Sequence, residues 1–521
     1  MGSVWEPELT ELARRKELAA QMGGEERVAR QRATGRGTVR ERIDALLDAG
    51  SFAEVGGLAG QASYDDHGDL IEFTPANLVG GRGRIDGQRV VVAGDDFTVR
   101  GGAADAAIVE KQVYLERIAH QERIPLVRLI DGTGGGGSVK SLEDFGRTYV
   151  PWNPGWEHVV TNLGAVPVAT AALGPVAGLG AARLVSSHFS VMVRELSQVF
   201  VAGPPVVEAG MGQQVDKETL GGWQVSVGSG AVDNVADSEA DALAQVRRFL
   251  SYLPANAWTL PRHVPTTDPA DRRETALRDL VPRERRRPYD VWTLLTAICD
   301  TDSVFEIGGE APVAVVCALA RLDGFPVAVI AHDPMVYGGG LSAQGSEKLI
   351  RFIELAETFH LPVLHLVDQP GFVIGTESEQ AGTIRKGSRA LAAVYQASVP
   401  WASVLIRRVF GVAGAAHRNA SRPGFRVAWP SGDWGSLPIE GGLEVAFKRM
   451  LGDAENPEQL KAQILERLEA VRSPFRTAES FLVEDIIDPA DTRPQLCEWV
   501  RGAYELLATT PPQPPAFGPR P

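Results

Sequence analysis

RIDGQRVVVAGDDFTVRGGA, residues 84–103, returns as RLDGFPVAVIAHDPMVYGGG at residues 321–340. The match extends without a gap over Arg84–Asp131 and Arg321–Asp368, at an offset of 237, with 16 of 48 positions identical. An Asp-Gly turn, an apolar run, a Gly-Gly pair (Gly101–Gly102, Gly338–Gly339), a Glu-Lys pair (Glu110–Lys111, Glu347–Lys348) and a proline (Pro125, Pro362) recur in order. This is an internal duplication, and duplicated units carry matched sites.

Each copy reads as an α/β unit. Val90–Ala93 and Val327–Ile330 are short β-rich runs after the Asp-Gly turn. The Gly-Gly pair breaks the chain where a positive φ or close ligand approach needs glycine. Apolar residues then recur at helical spacing over Ala104–His120 and Ser342–Phe359. Pro125 and Pro362 open LVRLI and VLHLV, which read as buried strands of a mostly parallel sheet. Past a variable insert the duplication resumes at an offset of 233, with VATAAL matching WASVLI. Both strands run into turns of small residues, Val176–Ala181 and Val409–Gly414, aligning Gly178 with Gly411, Leu179 with Val412 and Gly180 with Ala413. Such a strand-to-helix turn frees the first helical N–H groups, which suit an oxyanion, although small residues also serve plain close packing.

The remainder bounds the reading. The 521 residues suffice for two domains, and 44% hydrophobic with 23% charged is ordinary globular composition. A net charge of −14 argues against nucleic acid as the main partner. Cys299, Cys317 and Cys497 lack metal-ligand or disulfide spacing and suit a reducing compartment, so a cytoplasmic location without metal is expected. Ala165–Ala182 is apolar but made of small residues with two prolines, a buried strand and turn and not a membrane span. Residues 8–48 read as a charged helical arm. Pro254–Tyr289 holds six prolines and the basic run Arg283–Arg287, solvated or facing an anionic phosphate tail. Domains are expected at 1–255 and 290–521 with 256–289 as linker, followed at the end by a proline-rich, disordered tail.

Longer segments carry a resemblance. They include RQRATGRGTVRERIDALLDAGSF (30–52), GPVAGLGAA (174–182) and VFVAGPPVVEAGMGQQVDKETLGG (199–222). The second half adds HDPMVYGGGLSAQGSEKLIRFI (332–353), HLPVLHLVDQPGF (360–372), GTIRKGSRAL (382–391) and WPSGDWGSLPIEGGLEVAFKR (429–449). Together they resemble the carboxyltransferase (β) subunit of biotin-dependent acyl-CoA carboxylases of the propionyl-CoA and acetyl-CoA type. The resemblance implies two tandem crotonase-like domains and a homo-oligomer, a hexamer, in which the N-terminal domain of one chain faces the C-terminal domain of another. It implies an acyl-CoA substrate, so that coenzyme A is bound, and biotin carried on a separate biotin carboxylase/biotin carrier (α) subunit; the chain shows no biotinylation motif.

In that family, CO₂ passes from carboxybiotin to the α-carbon of the thioester, and negative charge develops on the thioester oxygen and on the biotin ureido oxygen. The resemblance places the first oxyanion hole at Gly178 and Leu179 and the second at Val412 and Ala413. Gly101, Gly102, Gly135, Gly136, Ala177, Gly411, Gly414 and Ala415 are the implied substrate-binding positions. Three departures stand out. The loop Gly132–Ser138 lacks the family's arginine, and Gly371–Glu379 lacks its second proline and glutamine. Gly414–Ala415 replaces a Tyr-Asp pair, which leaves either a larger acyl pocket or a gap filled by His417 or Trp434. Three alternatives remain open: a biotin-dependent decarboxylase subunit, a biotin-free crotonase-type hydrolase or lyase using Glu377 or Glu379, and a non-catalytic scaffold subunit.

Overall fold

The computed structural model describes residues 3–102, 108–133, 142–143, 146–148, 150, 152–422, 424–516 and 518–521. The chain divides into two compact units, Met1–Thr259 with Gln513–Pro521, and Leu260–Pro512.

The first unit contains β1 (Ala53–Glu54), β2 (Gly60–Tyr64), β3 (Leu70–Pro75), β4 (Leu78–Ile85), β5 (Gln88–Asp95), β6 (Leu126–Thr133), β7 (Val168–Ala177), β8 (Phe189–Val193), β9 (Gln198–Phe200) and β10 (Asn234–Ala236). Its main sheet runs β1-β4-β5-β6-β7-β8-β10, with β9 paired to the far end of β7. β1, β4 and β5 are antiparallel and the rest parallel. The second unit contains β11 (Phe305–Ile307), β12 (Val315–Leu322), β13 (Phe325–His332), β14 (Val363–Gln369), β15 (Trp401–Phe410), β16 (Phe425–Ala428), β17 (Asp433–Gly435) and β18 (Asp485–Ile486). Its order, β11-β12-β13-β14-β15-β16-β18 with β17 on β15, repeats the first sheet strand for strand. Among the described residues the hairpin β2–β3 has no counterpart there.

The central parallel strands β7 and β15 are buried along almost their whole length and mostly apolar, as cover on both faces requires. In the first unit Leu126, Val168 and Leu115 centre one core cluster, and Ile130, Val176 and Leu184 another. In the second, Val329, Leu364 and Val404 pack on the helices Val291–Ile298 and Thr492–Ala508.

The expected helices lie at Val109–Glu122 and Ala343–Thr358. The arm expected over 8–48 is three helices, Glu6–Ala20, Glu25–Ala33 and Val39–Leu46, because Gly24 and the Thr38 cap interrupt it. The segment expected as a linker, 256–289, differs more. Its residues from Leu260 onward belong to the second unit, since Leu277 and Tyr289 are buried in that core. The last nine residues group with the first unit, where Gly518 lies against Leu163 and Gly164.

Candidate active site

Both sheets end in the same device. β6 and β14 each carry a register shift, at Asp131 and at Asp368. A bulge re-aims one side chain. Here it buries an aspartate at 0% and 1% exposure, against the repeated glycine pair, of which the first copy, Gly101–Gly102, is expected to bind substrate. A Cβ on Gly102 would lie 2.9 Å from Asp131 O, and one on Gly339 would lie 2.9 Å from Asp368 O. The second glycine of each pair is therefore required by backbone packing, and Gly101 stands beside it with φ 64°.

Each aspartate is held by two arginines, which sequence reasoning missed. Asp131 accepts from Arg36 (3.0 Å) and Arg42 (2.7 Å), both upstream of β1. Asp368 accepts from Arg407 (2.8 Å) and Arg408 (2.7 Å), both on β15. The first unit has Gly174 where the second has Arg407, and a Cβ there would lie 2.1 Å from Asp131 Oδ1, so glycine makes room for Arg36. Burial pushes the Asp131 carboxyl up to about 6 despite its arginines. Burial also acts on Asp368, but Arg408 and Arg407 outweigh it and hold it below the usual carboxylate range.

Beyond the bulges, β7 and β15 run into the paired turns. Gly178 has φ 57° and ψ −123°, and Gly411 has φ 61°, a region that favours glycine. Gly178, Gly411 and Val412 are exposed and Leu179 is half-buried. The Gly178 N–H donates to Phe200 O at 3.3 Å, continuing the β7–β9 ladder. The turn's available donors are thus Leu179 and Gly180, which begin the helix Leu179–Val185 and have no intrahelical acceptor. In the second unit, Val412 and Ala413 hold the matching positions in the helix Gly411–Ala415. Ala177 is the last residue of β7. Gly135 and Gly136 lie outside the described residues.

The two turns rest on different chemistry. Under the first, Arg128 donates to the carbonyls of Arg183 (3.0 Å) and Ser186 (2.8 Å) at the helix end, and to Glu116 (2.7 and 2.9 Å). Burial raises the Glu116 carboxyl, but Arg128 and Arg183 win and hold it at about 2. Under the second lie His332, His365 and His417, all buried. Gly414 is pressed onto the strand, where a Cβ would lie 2.8 Å from Val409 C, while Ala415 is exposed. His417 donates from Nδ1 to Gly414 O at 2.7 Å, and Trp434 donates to Thr477 Oγ1 at 2.9 Å. His417 thus turns its ring back onto the turn and Trp434 is held by Thr477, while Ala415 faces outward.

A cavity of about 300 Å³ in the first unit adjoins Gly101 and is lined by Arg27, Arg30, Arg36, Arg100 and Phe97, with no acid among the described residues of its wall. Gln31, also in the wall, has its Oε1 buried without a hydrogen-bond partner. In the second unit the basic run faces a cavity of about 1280 Å³, but Arg285 is tied there to Glu440 (3.0 Å) and Glu469 (2.7 Å). In the first cavity Arg30 is likewise paired with Glu26 at 2.7 Å and Arg36 with Asp131 at 3.0 Å. Among the described residues no group of three or more His, Cys, Asp or Glu could hold a metal, and no helix is long and apolar enough to cross a membrane.

Residues 30–512 match the carboxyl transferase domain family. The chain belongs to that family. This carboxyltransferase is 32% identical over 499 residues to the propionyl-CoA carboxylase carboxyltransferase subunit of Haloferax mediterranei, covering 94% of this chain and 95% of the relative. It is 31% identical over 492 residues to the methylmalonyl-CoA decarboxylase subunit alpha of Veillonella parvula, covering 94% and 93%. Among solved structures it superposes on the transcarboxylase 12S hexamer with bound methylmalonyl-coenzyme A at TM-score 0.87 and 30% identity, covering 99% and 98% of the chains.

Proposed function

We propose that this carboxyltransferase is the subunit of a biotin-dependent acyl-CoA carboxylase that moves a carboxyl group between biotin, carried on a partner protein, and the α-carbon of an acyl-CoA. The observation that carries the reading is the pair of matched turns, each opening outward at its glycine and offering two helix-start N–H donors at the end of a central strand. One reaction in which two separate oxygens gain negative charge needs two such donor sets. In this reading Leu179 and Gly180 hold the thioester oxygen, and Gly178 shapes the turn instead of donating. Val412 and Ala413 form the donor pair for the biotin ureido oxygen. Biotin, when bound, supplies the activated carboxyl group. The four-arginine cavity beside Gly101 takes the anionic phosphates of the CoA tail. The site is completed in a homo-oligomer, a hexamer, with the first unit of one copy facing the second unit of another. The partner is a biotin carboxylase/biotin carrier subunit, and the location is the cytoplasm.

The test is label transfer from a ¹⁴C-carboxylated biotin carrier to acetyl-, propionyl- and longer acyl-CoAs. The reading predicts labelled product that depends on this chain. A folded, assembled protein that transfers label to none of them would support the scaffold alternative. The reverse experiment, from methylmalonyl-CoA to free carrier, reports the direction that the decarboxylase relative represents.

A further inference from the structure

The two turns share a support that the duplication makes visible. Thr170 Oγ1 donates to Leu184 O at 2.9 Å, and Ser403 Oγ donates to His417 O at 3.0 Å. These are matched residues and matched carbonyls at the offset of 233. On the neighbouring strand, Arg128 and His365 are matched at the offset of 237. Arg128 donates to carbonyls at the end of the first turn helix, and His365 Nδ1 approaches His417 O at 3.2 Å. The second unit thus keeps the device and replaces a guanidinium by an imidazole.

It also adds one contact. His417 stands where the first unit has the fully buried Leu184, and its Nδ1 lies 2.7 Å from Gly414 O inside the turn. Both acceptors are carbonyls, so both imidazoles must carry the proton on Nδ1. Their Nε2 atoms are buried without a partner, which disfavours a second proton there and keeps the rings neutral. Trp401 Nε1 adds a third donor to His417 O at 2.8 Å. Val412 and Ala413 lie two and one residues before the braced Gly414.

We propose that His417 and His365 are positioning residues for the second turn: the Nδ1–H of His417 pins the Gly414 carbonyl, and that of His365 pins the carbonyl of His417, so that the Val412 and Ala413 N–H groups stay aimed at the developing anion. This rests on the reading of the second turn as an oxyanion site. The brace acts on orientation and touches no substrate, so its loss lowers kcat and leaves the KM for acyl-CoA unchanged.

Three substitutions in the full assembled protein separate this from mere packing. His417→Leu installs the residue of the matched position in the first unit. His417→Gln carries its amide N–H to the Nε2 end, and His417→Asn to the Nδ1 end. The brace predicts a kcat loss of about ten- to a hundredfold for Leu and Gln, the scale of a misplaced catalytic group, and recovery to within about threefold for Asn. A folded His417→Leu protein with unaltered kcat overturns it, as does an Asn variant no better than Leu. Solid-state ¹⁵N NMR of histidine-labelled wild-type protein gives a second reading that survives a variant failing to fold. A neutral Nδ1–H signal for His417 at pH 6 supports the brace, and an Nε2–H tautomer or imidazolium overturns it. If the wild-type protein transfers no carboxyl group, the functional reading fails; a competent wild type with an indifferent His417→Leu overturns the brace alone.

Discussion

Two residues that look interchangeable with their neighbours have sharply different expected sensitivities. Leu179 is the first residue of its helix, where proline fits the backbone and deletes only an N–H that has no helical partner. Leu179→Pro therefore leaves the fold intact and removes one oxyanion donor, with an expected kcat loss of about a hundred- to a thousandfold. Circular dichroism and steady-state transfer check both halves of that statement, and a folded variant with near-native turnover removes Leu179 from the site. Gly178→Pro cannot serve, because Gly178 sits at φ 57° and proline requires about −65°. The arginine cavity makes a separate demand. Arg27→Gln with Arg30→Gln raises the KM for an acyl-CoA about tenfold, as expected for a lost charge-assisted contact, and leaves acyl-pantetheine unaffected. Equal effects on both substrates place the arginines away from the phosphates.

The element scale shows what the sequence could and could not disclose. Arg84–Asp131 and its copy align without a gap, so strand, glycine pair, helix and strand were legible. The preceding part of the duplication was not. Asp48 accepts the Asp86 and Gly87 N–H groups at 3.0 and 2.8 Å, and Asp300 accepts those of Asp323 and Gly324 at 2.9 and 2.7 Å. Glu54 faces Lys111 at 3.7 Å as Glu306 faces Lys348 at 3.9 Å. Asp48 and Glu54 match Asp300 and Glu306 at an offset of 252 while their partners keep the offset of 237, because the hairpin β2–β3 lengthens the first unit and breaks the register. Aligning LLDAGSFAEVGG (46–57) with the stretch at 298–309 was the available signal, and the Thr38–Glu41 capping box marked the helix before it. The arginine partners of Asp131 were illegible for another reason. Arg36 and Arg42 lie about ninety residues upstream in sequence, and the second unit supplies the same charges from β15. Duplication preserves the need for a buried counter-charge, not the position that meets it.

Over the whole molecule, the different supports under the turns predict different acid sensitivities. His332 and His417 are held down to about 4 by burial, from an ordinary 6.5. A histidine with a lowered folded pKa stabilises fully above 6.5 and loses that contribution as pH falls from 6.5 to 4. Glu116, at about 2 against 4.5, stabilises the first unit above 4.5 and loses that contribution between 4.5 and 2. Asp131, raised to about 6, contributes the opposite sign, favouring the folded first unit as pH falls from 6 to 3.8. The second unit therefore loosens first on acidification. Hydrogen exchange resolved by segment between pH 7 and 4 tests this, and earlier loss of protection in β6 and β7 than in β14 and β15 would contradict it. The central claim is that a turn of each kind, contributed by different copies, serves one reaction. Its most direct measurement is transfer activity after co-expression of Leu179→Pro chains with Val412→Pro chains. Each variant alone is inactive, and random co-assembly restores both intact turns at about a quarter of sites in a head-to-tail arrangement. Recovered activity near that fraction is the predicted result; co-assembled oligomers as inactive as either parent, or a parent variant active on its own, would contradict the account.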